Sequence, residues 1–209
     1  MLDRPIVLAT RNAGKIREFE ALLSGFRVEF RSLNDFGPIR DVEEDGATFD
    51  ENAYKKASMT ARMLGLPALA DDSGLVVEAL QGEPGVRSAR YAGEGASDDE
   101  NNCKLLDAMA GKADRRAAFV CVISLAVPRG PALTYEGRCE GRIAESAMGT
   151  NGFGYDPVFF HPPSGKTFAQ LTAEEKNRIS HRGKAMGELR KEFGQVLQWL
   201  EQRIREEPF

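Results

Sequence analysis

The chain has 209 residues, a net charge of −4, 42% hydrophobic residues and 29% charged residues. This composition fits a globular chain of one large domain or two small ones, long enough to bury a core. It excludes a global basic field for nucleic acid and a membrane-spanning apolar run, and its three cysteines, Cys103, Cys121 and Cys139, are too few and too scattered for a disulfide framework or a zinc site.

Ile6-Val7-Leu8-Ala9 is an apolar run of strand type. Thr10-Arg11-Asn12-Ala13-Gly14-Lys15 follows, and then Ile16, Phe19, Leu22 and Leu23 recur at helical spacing. Strand, polar loop and helix form a unit whose N-terminal backbone N–H groups favour an anion. Thr10 and Asn12 can add donors, and Lys15 adds a full charge. The same residues also read as a capped helix with a solvated lysine. The glycine spacing, and the lack of Ser or Thr after Lys15, separate the loop from the P-loop pattern.

Val28-Glu29-Phe30 alternates like a second strand. An acidic cluster, Asp41, Glu43, Glu44 and Asp45, sits just before a capping-box pattern, Thr48-Phe49-Asp50-Glu51. That pattern opens a helix to about Leu64, with Phe49, Ala53, Ala57, Ala61 and Leu64 on one face. Gly65-Leu66-Pro67 ends it. An apolar run to Ala70 then meets Asp71-Asp72-Ser73-Gly74, and a second run, Leu75-Val76-Val77, follows. The expected pattern is a strand, an interruption at the acids, and a strand. Two adjacent carboxylates are costly unless a cation or proton relieves them. They read as a metal-binding or general-base pair, or as an Asx-rich turn.

Residues 82–93 form a glycine-rich connection that carries Arg87 and Arg90. Ser97-Asp98-Asp99-Glu100 is another capping box, opening a helix to about Ala110. Residues 117–127 are the longest apolar run, and the turn Pro128-Arg129-Gly130-Pro131 predicts a hairpin with residues 133–143. Gly137 and Gly141 in the return strand suggest a bulge or bend. Gly149-Thr150-Asn151-Gly152-Phe153-Gly154-Tyr155-Asp156-Pro157 combines three glycines, two aromatics and two acid or amide groups. Glycine permits close backbone approach to a ligand and an aromatic can stack on a base, or the aromatics simply join the core. Thr172 caps a short helix carrying Lys176. Ser180-His181-Arg182-Gly183-Lys184 opens a final amphipathic helix through Met186, Leu189, Phe193, Val196 or Leu197, Leu200 and Ile204. Crossover helices together with a hairpin predict one α/β domain over residues 1–209 with a mixed sheet.

Six stretches, LATRNAGK, EEDGATFDENA, ADDSGL, PGVRSARYAG, GFGYDPVF and EEKNRISHRGKA, run in order from residue 8 to 185. In these the chain resembles the inosine triphosphate pyrophosphatase family, which acts on non-standard purine nucleoside triphosphates. The resemblance implies an elongated mixed β-sheet with flanking helices, two lobes around a central cleft, and a homodimer. It also implies Mg²⁺-dependent hydrolysis of dITP, ITP, XTP and dXTP to the monophosphate and diphosphate, which cleanses the nucleotide pool. By the same resemblance Thr10, Arg11, Asn12, Ala13, Gly14 and Lys15 bind the triphosphate. Asp72 is the proton acceptor, Ser73 contacts substrate, and Glu43 and Asp72 hold the metal. Phe153, Gly154, Tyr155 and Asp156 form part of the base and sugar pocket, joined by Lys176, His181 and Arg182. Arg11 departs from the Gly or Ser found in many members. Lys15, with Arg90 or Lys176, is expected to offset charge on the leaving diphosphate, and backbone N–H groups or Arg182 to donate to the 6-oxo edge of the base.

A Maf-type nucleotide pyrophosphatase fits less well, because GFGYDPVF and SHRGKA are foreign to it. A haloacid-dehalogenase-type phosphatase needs two Asp separated by one residue, and these are adjacent. A non-catalytic nucleotide-binding protein is disfavoured by the retained acids. The expected setting is the cytoplasm, with no nucleic acid or membrane partner, because Met1-Leu2-Asp3-Arg4-Pro5 lacks an apolar signal core.

Overall fold

The computed structural model describes residues 4–206. In chain order the strands are β1 (Ile6–Leu8), β2 (Phe30–Ser32), β3 (Ala68–Val77), β4 (Arg116–Ala126), β5 (Ala132–Ile143), β6 (Phe159–His161) and β7 (Lys166–Thr167). The helices are α1 (Ala13–Leu23), α2 (Phe49–Leu64), α3 (Asp98–Ala108), α4 (Ala173–Ile179) and α5 (His181–Glu206). The strands form one sheet in the order β2-β1-β3-β4-β5-β6-β7. Parallel neighbours need a crossover, and α1 and α2 supply it: β1 pairs parallel with both β2 and β3. The connection from β4 to β5 spans only residues 127–131, which is too short for a crossover, so these neighbours form the expected hairpin. β6 pairs antiparallel with β5 and β7. The sheet is therefore mixed, as the alternation of helices and hairpin predicted.

Two compact units divide the chain. One holds the chain up to Asp72, Val122–Glu136 and the chain from Ala185 onward; the other holds Ser73–Cys121 and Gly137–Lys184. In the first, Ala53, Ala57 and Ala61 of α2 are fully buried, and Ala57 and Ala61 pack in one core with Val7, Ala68 and Ala70. Thr48 accepts from the Glu51 N–H to start this helix, and Gly65, at φ 63°, ends it. The final helix buries Met186, Leu189, Phe193, Val196 and Leu200, so Val196 rather than Leu197 continues its core stripe.

The second unit has an aromatic core. Phe119 and Phe159 have ring centroids 4.6 Å apart, and Phe159 and Phe168 4.8 Å apart. Gly141 is small for this reason: a Cβ there would lie 2.4 Å from the Phe159 ring. The space explains this glycine without a bulge. Capping boxes start α3 at Ser97 and α4 at Thr172, as their sequences predict.

Three local expectations are corrected. The second strand is Phe30–Ser32, not Val28–Phe30, because pairing with β1 runs from Ile6 opposite Phe30 to Leu8 opposite Ser32. The glycine-rich connection contains a 3₁₀ turn at Gly85–Arg90. Most consequentially, Asp71 and Asp72 do not interrupt a strand: β3 runs through them without a break. Among the described residues, no helix is long and apolar enough to cross a membrane.

Candidate active site

The site begins where β1 ends and β3 runs on. β1 pairs with β3 only at Val7–Ala68 and Leu8–Leu69, and the Ala9 N–H then bonds Leu69 O at 2.8 Å. β3 continues past that point to Asp71 and Asp72. Consecutive strand residues point to opposite faces, and the two acids find partners on different helices. Asp71 meets Lys15 of α1, Nζ to Oδ2 at 3.0 Å, with its side chain 1% exposed. Asp72 Oδ1 lies 3.5 Å from Lys56 Nζ of α2, and Asp72 Oδ2 accepts from Asn52 Nδ2 at 3.1 Å. Lys56 also donates to Glu44 at 2.9 Å.

Burial pushes the Asp72 carboxyl above its ordinary range. Lys56 and Lys15 pull it back, as does the Asn52 bond, while Glu44 adds to the rise; the net effect is upward. Burial pulls the Lys56 ammonium down, but the fields of Asp72, Asp71 and Glu44 outweigh it and hold Lys56 above its usual value. Among the described residues, no group of three or more His, Cys, Asp or Glu side chains is arranged to hold a metal ion.

The loop from Thr10 to Lys15 is more self-contained than a bare anion site. Asn12 Oδ1 accepts from Gly14 N at 2.8 Å and Lys15 N at 3.1 Å, and Thr10 Oγ1 accepts from Asn12 N at 3.2 Å. Both side chains expected as donors act here as acceptors inside the loop. Ala13 is exposed and Gly14 is buried in the first turn of α1. Arg11 turns away from the loop. Its guanidinium donates to Leu33 O (3.1 Å), Ile39 O (3.0 Å) and Asp41 Oδ1 (3.2 Å). It straps the loop to the segment that leads into the acidic cluster. In that cluster Glu43 is exposed and Glu44 is the carboxylate that reaches Lys56. Asp45 pairs with Lys55 at 2.5 Å.

In the second unit Ser73, the residue after Asp72, accepts from Arg182 Nη2 at 2.9 Å. Arg182 is 2% exposed, and its guanidinium carbon lies 5.8 Å from the Phe153 ring centroid. Lys176 Nζ sits 4.6 Å from the same centroid and donates to Asp156 Oδ2 at 2.6 Å. That oxygen also accepts from Phe153 N at 3.0 Å. Gly152, at φ 79°, leaves room for it, since a Cβ would come within 1.9 Å of Asp156 Oδ2. His181 is buried and stacks on Phe119, centroids 4.6 Å apart at 10°. Tyr155 is a strut in the core: it is 4% exposed, its hydroxyl donates to Ser88 O at 2.8 Å, and burial pushes its phenol well up. Arg90 pairs with the exposed Glu94 at 3.6 Å.

The sequence reading brought Lys15, Asp72, Ser73, Phe153, Asp156, Lys176 and Arg182 forward. It missed Lys56 as a buried cation and Asn52 as the Asp72 donor. A signal was present: Asn52, Lys56 and Thr60 recur every four residues beside the Ala53, Ala57 and Ala61 stripe, which sets a polar row along a buried face.

The Ham1 family matches residues 6–192. The chain belongs to the Ham1 family. A curated relative from Syntrophobacter fumaroxidans, named dITP/XTP pyrophosphatase, is 63% identical over 202 residues, covering 97% of this chain and 87% of the relative. One of the same name from Desulfotalea psychrophila is 60% identical, covering 97% and 91%. A solved structure of a Ham1 protein from Coxiella burnetii superposes with a TM-score of 0.85 at 45% identity, covering 92% of this chain and 99% of that one. Membership in the Ham1 family bears out the resemblance carried by the six motifs and the mixed α/β fold it implied.

Proposed function

We propose that this protein hydrolyses non-standard purine nucleoside triphosphates, dITP, ITP and XTP among them, to the monophosphate and diphosphate. The observation that carries the reading is the buried Asp71–Asp72 pair with Lys15 and Lys56 against it. The names of relatives at 60–63% identity agree with it.

Attack on an α-phosphorus requires a positioned water and compensation for charge on the leaving diphosphate. Asp72, buried and held by Asn52 and Lys56, orients that water and accepts its proton. A carboxyl raised above its ordinary range is a stronger base for this task than an exposed one. Lys15 and Lys56 offset charge as the bond to the leaving group lengthens. The loop from Thr10 to Lys15 receives the phosphates beside them.

The donor set suits a hard divalent cation such as Mg²⁺, because Asp72 and Glu44 both bring carboxylate oxygens to Lys56, where burial makes excess negative charge costly. Asp72 and Glu43 would hold it, with Asp71 and Glu44 close at hand, and it would supply Lewis-acid polarisation of the phosphoryl oxygens. Mg²⁺ commonly uses one or two carboxylates together with substrate phosphates, so a cage of three side chains is not required.

The base is read by the second unit. Phe153 offers a ring face, and Arg182 is the side-chain donor beside it. Hypoxanthine and xanthine present a 6-oxo acceptor where adenine presents an amino donor, so a donor in the site leaves adenine with an unmatched pair. Rejection of this kind reaches about 10⁴.

The test is diphosphate release from dITP, XTP, GTP and ATP, each with and without added Mg²⁺. Rapid Mg²⁺-dependent release from dITP and XTP, with GTP and ATP slow, is expected. Equal rates on all four would sink the base assignment, and release of orthophosphate in place of diphosphate would sink the reaction.

A further inference from the structure

We propose that Asp98 and Asn102 of α3 form a clip that fixes the backbone on the C-terminal side of Phe153 and thereby sets the base preference of the second cluster. This rests on the reading of Phe153 as part of a base pocket. Asp98 Oδ2 accepts from Gly154 N at 2.6 Å, and Asn102 Nδ2 donates to Gly154 O at 3.0 Å. Gly154 is thus held through both its N–H and its C=O by residues one helical turn apart on a single face.

Phe153 needs such an anchor. It stands between Gly152 at φ 79° and Gly154 at φ 62°, two residues in the left-handed region. Glycine is the most conformationally free residue, so the ring sits between two potential hinges. On the N-terminal side the Phe153 N–H is tied to Asp156 at 3.0 Å. On the other side the peptide joining Phe153 to Gly154 is tied at both its groups: the Gly154 N–H donates to Asp98 at 2.6 Å, and the Phe153 C=O accepts more weakly from Asp156 N at 3.3 Å. With both flanking peptides fixed, the Phe153 ring is aimed at Lys176 and Arg182. A Cβ on Gly154 would meet nothing within 4 Å, so crowding does not hold this residue in place. The clip does.

Asn102 bears the mark of a residue kept for one bond. It is 5% exposed, and its Oδ1 is buried with no hydrogen-bond partner among the described residues. A leucine would fill that space without an orphaned acceptor, which is costly to bury. The amide persists where it costs stability, and what it delivers is the bond to Gly154. Its neighbour Asn101 does different work, tying Ala92 N (2.7 Å) and Ala89 O (3.2 Å).

The clip also uses up donors. With Phe153 N given to Asp156 and Gly154 N to Asp98, these two backbone N–H groups are committed inside the loop. These two groups are therefore not the donors to a 6-oxo edge, and donation by Arg182 depends on where the Phe153 ring presents the base.

The experiment compares wild type with Asn102→Leu, Asp98→Ala and Asp98→Asn. Three readouts are taken: kcat/KM for ITP, GTP and ATP; calorimetric binding of IMP and GMP; and hydrogen exchange over residues 150–157. Asn102→Leu and Asp98→Ala should lower the ITP-over-GTP ratio at least about tenfold, inside the roughly 10²-fold that an ångström of misplacement costs. They should narrow the IMP-over-GMP binding ratio in parallel and speed exchange at Gly154. Asn102→Leu should melt at or above the wild-type temperature, and Asp98→Asn, which keeps an oxygen acceptor, should retain wild-type selectivity. An equal fall for all substrates, or an unchanged ratio despite faster exchange, overturns the proposal. If wild type releases no diphosphate from ITP, the proposed reaction fails by itself, and the clip is judged by mononucleotide binding and exchange. Failure of wild type to distinguish IMP from GMP overturns the clip.

Discussion

The first polar cluster reaches the surface through Glu44, whose side chain is 32% exposed, while the second is closed in, and their named side chains sum to opposite formal charge. In the first, three carboxylates, Asp71, Asp72 and Glu44, face two ammonium groups, Lys15 and Lys56. In the second, one carboxylate, Asp156, faces two cations, Lys176 and Arg182, arranged about Phe153. A buried excess of negative charge is relieved by a cation, and a buried excess of positive charge by electron-rich groups. On the proposed function, the first cluster would receive a metal-bearing polyphosphate and the second an oxo-purine.

Removing the central acid breaks the comparison most sharply. Asp72→Asn should cut kcat by about 10²- to 10⁴-fold, the range of a lost general base, measured as initial rates of diphosphate release. The same variant should be more stable than wild type at neutral pH. The Asp72 carboxyl lies above its ordinary range in the fold, so between the ordinary and the raised value the folded state holds more protons than the unfolded state. Stability conferred by that group falls as pH rises through this window. The amide removes the penalty, and the gap should close as pH drops below the ordinary carboxylate range. Thermal melts from pH 3 to 8 check the sign.

Two lysine variants separate the clusters. Lys56→Met and Lys176→Met each strip a buried carboxylate of its partner, and each should cost about 3–5 kcal/mol in denaturant unfolding. Only Lys56→Met should alter the Mg²⁺ concentration needed for half-maximal rate, because only its cluster has carboxylates in excess. The same shift in both would erase the distinction.

The smallest effect concerns the strap. Arg11→Ala removes two exposed hydrogen bonds and one partly buried one and should cost on the order of 1 kcal/mol, with faster hydrogen exchange confined to residues 33–41. Arg11→Lys should not restore it, because one ammonium cannot reproduce a planar fork with several donors.

Much of this was legible in the sequence because it is local. The helices announced themselves through capping-box sequences at Thr48, Ser97 and Thr172, of which the last two close as boxes while Glu51 reaches back to Ala47 N instead, and the hairpin through its proline–glycine turn. The Asp pair misled for a physical reason. Adjacent acids resemble a turn, and only the partners supplied by α1 and α2 make them tolerable inside a continuous strand. Lys56 was hidden because a lysine on an amphipathic helix ordinarily belongs to the solvated face; its burial depends on Asp72 and Glu44, 16 and 12 residues away in sequence. Asp98 and Asn102 were hidden likewise, since nothing near them in the chain points to Gly154. Arg11 read as a departure in a phosphate loop, and the carbonyls it straps become visible only in three dimensions.

In the proposed reaction water attacks the α-phosphorus under the control of the Asp71–Asp72 cluster. Hydrolysis of dITP in ¹⁸O-labelled water, with mass spectrometry of both products, tests this directly. The label should appear in the monophosphate and be absent from the diphosphate. Label in the diphosphate would place the attack on the β-phosphorus and contradict the mechanism.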